Sequence, residues 1–141
     1  MKIADILRFK GSEVTTIGPD ATVTELLASL AERNVGALVV SVGDRVAGVA
    51  SERDVVRQLH RLGAELLDRR VSEIMTTPAI SCHSGDELDA VAAAMTERRI
   101  RHMPVIDDDR LVGIVTIGDV VLNRSRELEQ QRRDLEQYIS G

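Results

Sequence analysis

The stretch GIVTIGDVV, residues 113–121, runs from an apolar segment into a polar one. Its first residues are typical of a buried strand, whereas Thr116 and Asp119 are typical of the first turn of a helix. The stretch GVASERDVV, residues 48–56, has the same order 65 positions earlier, with a hydroxyl and a carboxylate in the corresponding places. This recurrence indicates that the chain contains one strand-to-helix junction twice.

The match between the two junctions extends far upstream of them. Residues 22–56 align with residues 87–121 at the same offset without a gap. Further upstream, IADIL (residues 3–7) resembles VSEIM (residues 71–75) at an offset of 68, so the first copy holds three extra residues near RFKGSE. Two copies are too few for a solenoid, and each alone would leave an apolar surface exposed. The chain is therefore predicted to be two repeats packed face to face.

Both repeats show the same order of predicted elements: a short strand, a helix, two strands joined by a tight polar turn, and a second helix. This order predicts an α/β fold in which two β-α-β-β-α repeats form a pseudo-two-fold pair with short mixed sheets. The predicted boundaries are residues 1–66 for the first repeat with its N-terminal segment, 67–123 for the second repeat and 124–141 for a C-terminal helix. The predicted strands are VTTI (14–17) and AISC (79–82), then ALVVSV (37–42) and RVAGVA (45–50) in one hairpin, and MPVI (103–106) and RLVGIV (110–115) in the other.

The last segment of the chain is dense in charge and carries a thin apolar stripe. Val121, Leu128, Leu135 and Ile139 recur close to helical spacing, which predicts a long helix. Such a stripe either packs on its own domain or forms a contact between two copies of the chain, and the pattern leaves both interpretations open.

The composition is that of a globular protein, with 43% hydrophobic and 29% charged residues. A net charge of −5 and only 1% aromatic residues argue against a nucleic-acid partner, which needs a basic field or stacking side chains. Cys82 is the one cysteine, so no internal disulfide is expected. There is no apolar window of membrane-spanning length and no leader-like N-terminal segment, so we expect a cytoplasmic protein without membrane association.

Two interpretations account for the repeated hydroxyl and carboxylate. In the first, Ser51 and Thr116 are helix N-caps, and the acids three residues later favour the positive helix end. In the second, the same geometry binds a ligand, because a carboxylate accepts hydrogen bonds from ribose hydroxyls and a helix N-terminus suits phosphate. The pattern alone does not exclude either one.

The segments GVASERDVVRQL and GIVTIGDVVLNR resemble the strand-to-helix signature of CBS domains (cystathionine-β-synthase domains). ERRIRHMPVID, VSEIMTTPAISC and GALVVS are also typical of this family, so the resemblance covers nearly the whole chain. It implies a regulatory module without catalytic chemistry or a catalytic cofactor, which senses energy or redox state through an adenosyl ligand: AMP, ADP, ATP, NAD(H) or S-adenosylmethionine. It also implies a homodimer of such pairs and a downstream protein that the sequence does not name.

The resemblance assigns residues to two clefts, each built from strands of one repeat and the helix start of the other. Asp54 and Asp119 would bind ribose hydroxyls. Positive charge is richer around Asp54, so a phosphate is expected in that cleft. The other residues implied are Ser51, Arg53, Cys82, Arg101, His102, Met103 and Pro104 for the Asp54 cleft, and Thr16, Ile17, Gly36, Ala37 and Thr116 for the Asp119 cleft.

Several other residues have simpler expected roles. Arg98 and Arg99 are expected to neutralise a helix C-terminus. Lys10 and Gly11, in the extra segment of the first repeat, are expected to lie in a mobile turn rather than to close over a phosphate. Cys82 and His83 are adjacent and lack metal-ligand spacing or a positioned base, so neither a metal site nor a thiol nucleophile is predicted. The resemblance implies that the protein is not an enzyme, and a purely structural module remains the alternative.

Overall fold

The first repeat forms a three-stranded sheet in the computed structural model, which describes residues 1–140. Its elements are helix α1 (Ile3–Lys10), strand β1 (Thr16–Ile17), helix α2 (Val23–Arg33), strands β2 (Ala37–Val42) and β3 (Arg45–Ser51), and helix α3 (Glu52–Leu62). The strand order is β1-β2-β3, with β1 parallel to β2 and β2 antiparallel to β3. Thr22 caps α2, since its hydroxyl accepts a hydrogen bond from the Glu25 backbone N–H.

The second repeat follows a 3₁₀ helix (Gly63–Asp68) and a short helix α4 (Val71–Ile74). It contains helix α5 (Leu88–Arg98), strands β4 (His102–Asp107) and β5 (Arg110–Thr116), and helix α6 (Ile117–Ser140). β4 and β5 form an antiparallel two-stranded sheet. The mixed fold of helices and small sheets predicted from the sequence is confirmed.

The strand predicted at residues 79–82 is reduced to a single bridge between Cys82 and Val105. Around that bridge the Cys82 N–H donates to the Pro104 carbonyl and the Ile106 N–H donates to the Cys82 carbonyl. The next bond in a parallel ladder would come from the backbone nitrogen of Pro104, which carries no hydrogen. The equivalent position in the first repeat is Val39, and there the pairing with β1 continues.

The two hairpins have the same construction. Their turns are Gly43-Asp44 and Asp108-Asp109, as predicted, and Gly43, Asp108 and Asp109 all have φ between 50° and 62°. Asp tolerates this left-handed conformation better than most residues. The strand register also shifts once in each hairpin, after Val40 and after Val105, which are 65 residues apart. The duplication seen in the sequence therefore extends to an irregularity of the backbone.

The hydrophobic core consists of two clusters, one in each repeat, and the helix that precedes each repeat packs in the cluster of the other. Ile3 and Ile6 of α1 are buried in the cluster of the second repeat, with residues such as Leu88. Val71 and Ile74 of α4 are buried in the cluster of the first repeat. The boundaries at residues 66 and 123 stay sequence predictions, and the packing crosses the first of them in both directions.

The C-terminal helix predicted from residue 124 continues helix α6, which begins at Ile117 without a break. Within its described length, Val120 and Asn123 are the buried residues. Leu128, Leu135 and Ile139 are exposed, by 66%, 63% and 82%. Val121 is also 60% exposed, so α6 packs on its own domain through Val120 and Asn123, while the four residues of the predicted stripe are exposed. No helix within residues 1–140 is long and apolar enough to cross a membrane.

Candidate functional site

The junction between β3 and α3 holds a complete capping box. The Ser51 hydroxyl accepts a hydrogen bond from the Asp54 backbone N–H at 3.3 Å, and the Asp54 carboxylate accepts one from the Ser51 N–H at 2.9 Å. The first interpretation of the repeated motif, a helix cap, is therefore realised in the structure.

The Asp54 carboxylate has further partners beyond the cap. Its Oδ2 accepts a second bond from the Ser51 hydroxyl at 3.0 Å, and its Oδ1 accepts one from the Thr76 hydroxyl at 3.1 Å. Asp54 is only 9% exposed, yet no cation lies within ion-pair distance among the described residues. A buried carboxylate held only by neutral donors is costly unless more donors arrive.

A cavity of about 890 Å³ opens beside Asp54, between the two repeats. Eight of the predicted site residues line it together: Gly36, Ala37, Ser51, Arg53, Asp54, Arg101, His102 and Thr116. Gly36, Ala37 and Thr116 were assigned to the Asp119 cleft on the sequence, so parts of both predicted clefts merge in one cavity.

Positive charge is concentrated on the wall of this cavity. Five arginines line it against two carboxylates, those of Glu52 and Asp54, and the arginines are Arg53, Arg57, Arg98, Arg99 and Arg101. Arg53 is fixed in place because its Nη1 donates to the Arg99 carbonyl at 2.7 Å. Within residues 1–140, neither Arg57 nor Arg101 forms an ion pair. Their guanidinium groups are available to an anion.

His102 lines the cavity at the start of β4. It is half-buried, and burial lowers the pKa of its imidazole, against the opposing effect of the Glu52 carboxylate. Arg101 and Lys10 also lower this pKa, and Asp119 raises it. His102 therefore presents a neutral ring at neutral pH, which donates or accepts one hydrogen bond at each nitrogen.

The second junction, between β5 and α6, has the same backbone cap but a different carboxylate partner. The Asp119 carboxylate accepts a bond from the Thr116 N–H at 2.8 Å, and the Asp119 N–H donates to the Thr116 hydroxyl at 3.2 Å. Asp119 Oδ2 also lies 2.6 Å from Lys10 Nζ, which donates a second bond to the Ile114 carbonyl at 2.9 Å. The expectation that Lys10 lies in a turn is wrong: it is the last residue of α1 and carries an ion pair.

The remaining predicted site residues do not line the cavity. Cys82 and Met103 belong to the core cluster of the second repeat, and Pro104 is buried beside them. Thr16 and Ile17 form β1, and Asp119 lies outside the lining residues. Contact of these six residues with a ligand stays a prediction that the geometry of the cavity does not favour.

Sequence reasoning missed several lining residues. Thr76 is the most informative, because it donates to Asp54, and its signal was the hydroxyl pair in the segment MTTP. Arg98 ends α5 and Arg99 is its C-cap, as expected, but both also face the cavity. The others that were missed are Val49, Glu52, Val56, Arg57, Ala79, Ile80, Ile100 and Ile117.

Two observations concern metal binding and the Cys82 thiol. Within residues 1–140, no group of three His, Cys, Asp or Glu side chains is placed to hold a metal ion. Burial raises the pKa of the Cys82 thiol to about 12, with smaller contributions from Asp86 and Asp107. A thiol with so high a pKa is protonated at neutral pH and is a poor nucleophile.

The exchanged helices, the paired β-α-β-β-α units and the cavity between them define a tandem CBS-domain pair. The CBS domain model matches residues 3–61 and 71–125, and the chain belongs to this family. It is 34% identical over 151 residues to a mitochondrial CBS domain-containing protein of Arabidopsis thaliana, covering 99% of this chain and 72% of the relative.

Solved structures agree with this assignment. A CBS-domain containing protein from Agrobacterium tumefaciens is similar with a TM-score of 0.83 and 38% identity, covering 87% of this chain and 92% of that one. A CBS domain protein from Pyrobaculum aerophilum, solved in complex with AMP, has a TM-score of 0.78 and 29% identity, covering 92% of this chain and 97% of that one.

Proposed function

We propose that this chain is a regulatory module that binds an adenosine nucleotide in the cavity beside Asp54 and changes its shape or its assembly in response. The observation that carries the proposal is the buried Asp54 carboxylate without a cation, set at one side of a cavity whose wall holds five arginines. A ligand with hydroxyl donors at one end and phosphate at the other complements both features.

The ribose is proposed to bind at Asp54. The carboxylate offers about four lone-pair positions, of which Oδ2 uses two and Oδ1 uses one. One position on Oδ1 is left for a ribose hydroxyl, and the hydroxyls of Ser51 and Thr76 lie next to it. The complex of the Pyrobaculum aerophilum relative with AMP supports a ligand of this kind.

The phosphate is proposed to bind among Arg57, Arg98 and Arg101. This charge favours AMP, ADP, ATP or NAD(H) over S-adenosylmethionine, because the sulfonium group of the latter is a cation. The cavity volume of about 890 Å³ falls in the range of small-molecule sites and admits each of these nucleotides.

Calorimetry tests the proposal with AMP, ADP, ATP, NAD, NADH and S-adenosylmethionine, and with adenosine as the ligand that lacks phosphate. Asp54→Asn is expected to weaken AMP binding by about ten- to hundredfold, because it removes a charged acceptor worth about 1.5–3 kcal/mol. Asp44→Asn, at an exposed hairpin tip, is the matched control. Arg101→Gln should weaken AMP but leave adenosine unchanged, with Arg45→Gln as its control. No binding by any nucleotide would refute the proposal.

The second candidate is a structural module without a ligand, and the complete capping box at Ser51 favours it. Loss of stability in an Asp54 variant cannot separate the two candidates, because the carboxylate both caps α3 and faces the cavity. Binding separates them: the structural module takes up no nucleotide before or after any substitution.

The output of the module is proposed to pass through a homodimer or to a downstream protein. Apolar side chains at equivalent places on α3 and α6, Val56 and Val121, are 66% and 60% exposed, and Leu59 and Leu122 lie beside them. Val121→Arg should shift sedimentation towards the monomer if this surface joins two copies.

The proposal also covers catalytic activity and cellular location. The module is proposed to have no catalytic activity, and AMP or ATP should be recovered unchanged after long incubation. A cytoplasmic location is proposed, while the Arabidopsis thaliana relative is named as mitochondrial. Fractionation of cells that express the protein tests the location.

A further inference from the structure

We infer that the Lys10 ammonium occupies the Asp119 carboxylate and restricts nucleotide binding to the Asp54 half of the molecule, so that one ligand binds per chain. The inference rests on the proposed function and adds to it the reason why two similar junctions behave differently. Lys10 Nζ lies 2.6 Å from Asp119 Oδ2, and the two side chains are 27% and 18% exposed.

The two junctions can be compared residue by residue, although Thr76 donates to Oδ1 of Asp54 and Lys10 to Oδ2 of Asp119. At the first junction Thr76 supplies two donors: its N–H bonds the Val49 carbonyl at 2.9 Å, and its hydroxyl bonds Asp54 at 3.1 Å. At the second junction the carbonyl equivalent to Val49 is that of Ile114, 65 residues later. One ammonium bonds both this carbonyl and the equivalent carboxylate. Lys10 thus stands where Thr76 stands in the other half.

The difference between these two donors is charge. A threonine hydroxyl leaves the Asp54 carboxylate with its full negative charge for a ligand. An ammonium neutralises Asp119, and hydrogen bonds between charged groups are about twice as strong as those between neutral ones. Lys10 and the Thr116 N–H both bond Oδ2 of Asp119, so a ribose hydroxyl that reached Oδ1 would meet a carboxylate whose charge is already neutralised.

The insertion found in the sequence explains how Lys10 reaches this position. The first repeat has three extra residues near RFKGSE, and α1 there extends over eight residues, whereas its counterpart α4 has four. The longer helix carries Lys10 one turn past Leu7, whose side chain packs against Gly113 of β5. In the other half, Met75 packs against Gly48, and Thr76 follows at once.

Isothermal titration with AMP tests the inference on four proteins. The wild type is expected to bind one AMP per chain, and Lys10→Met is expected to bind two. Lys10→Met with Asp119→Asn should return to one. Arg8→Met removes the same charge from the same helix two residues away, where Arg8 pairs with Asp5 instead, and should leave the stoichiometry at one.

The outcomes separate this inference from the proposed function. Two AMP per wild-type chain, or one per Lys10→Met chain, overturns the inference and leaves the function standing. Binding by Lys10→Met alone overturns the inferred stoichiometry of one and refutes the assignment of the ligand to Asp54, whereas no binding by any variant refutes both the inference and the proposed function. Asp119→Asn in the wild-type background is a second measurement that does not depend on Lys10 variants folding. It should change the Kd for AMP by less than about twofold, and a tenfold loss would overturn the inference.

Discussion

Two glycines at equivalent places in the repeats differ in what a methyl group would meet there. A Cβ added at Gly48 would lie 2.5 Å from the Thr76 carbonyl oxygen, which belongs to the backbone. A Cβ added at Gly113 would lie 2.7 and 2.8 Å from the two terminal methyl groups of Leu7. Since a side chain can rotate more easily than a backbone can move, we predict that Gly48→Ala destabilises the protein more than Gly113→Ala.

The loss of stability expected for Gly48→Ala can be worked out from the hydrogen bonds that Thr76 makes. To relieve the clash it must withdraw by 0.5–0.9 Å, which disturbs the two backbone hydrogen bonds that join Thr76 and Val49, at 2.9 and 3.1 Å, and the bond from Thr76 to Asp54. Three bonds at about 1 kcal/mol each, less about 0.4–1 kcal/mol gained when glycine is replaced, give a net loss of about 2 kcal/mol. Gly113→Ala should lose less than about 1 kcal/mol, because rotation of Leu7 keeps the cost near the low end of about 1–3 kcal/mol and replacing glycine returns about 0.4–1 kcal/mol.

Thermal unfolding followed by circular dichroism measures the difference. For a chain of 141 residues, 1 kcal/mol corresponds to a shift in Tm of about 3 °C. Gly48→Ala should therefore unfold about 6 °C below the wild type, and Gly113→Ala within about 3 °C of it. Gly48→Ala should also bind AMP more weakly, because Thr76 and Asp54 line the cavity. A Gly113→Ala protein that is as unstable as Gly48→Ala would refute the reasoning.

Three further predictions concern titrating groups. Burial lowers the pKa of His102, so its contribution to stability is complete above the ordinary value of about 6.5 and is lost as the pH falls through and below that value. In urea unfolding at a series of pH values, His102→Gln should make the free energy of unfolding less dependent on pH in this range. Because the pKa of Cys82 is raised to about 12, an aromatic disulfide reagent should label the thiol only after the protein is unfolded. Hydrogen bonds from the hydroxyl and the N–H of Ser84 lower the pKa of Asp107, which adds stability above about pH 3.8 that is lost as the pH falls through the folded-state pKa. Ser84→Ala should raise the pKa of Asp107 in an NMR titration and remove this stability.

Local pattern was sufficient to predict much of the fold. The helix starts at Ser51 and Thr116, the two-residue turns and the duplication depend on residues near one another in the chain, and all are present. The strand at residues 79–82 was predicted from its own apolar residues, but a strand needs a partner, and the missing N–H of Pro104 removed it. The β-propensity of a segment depends on its own residues, whereas the hydrogen bonds of a strand pair depend on the residues of both strands.

The candidate site was predicted where it depends on one repeat and missed where it depends on both. Ser51 and Asp54 were found because they belong to one junction. The bond from Thr76 to Asp54 spans 22 residues, and the bond from Lys10 to Asp119 spans 109. No periodicity or motif contains such a pair, because it exists only after α1 and the segment after α4 have docked on opposite repeats.

This docking makes each repeat incomplete without the other. Ile3 and Ile6 of α1 pack in the core of the second repeat, and Val71 and Ile74 of α4 pack in the core of the first. A chain with one repeat and the helix before it would therefore lack the sheet on which that helix packs, and its sheet would lack a helix to cover it. Two copies of such a chain could satisfy each other by trading those helices, as in a domain-swapped dimer. The present protein has the architecture of that dimer joined into one polypeptide. Because the two halves belong to one chain, equivalent places can carry different residues, as the lysine on one side and the threonine on the other do.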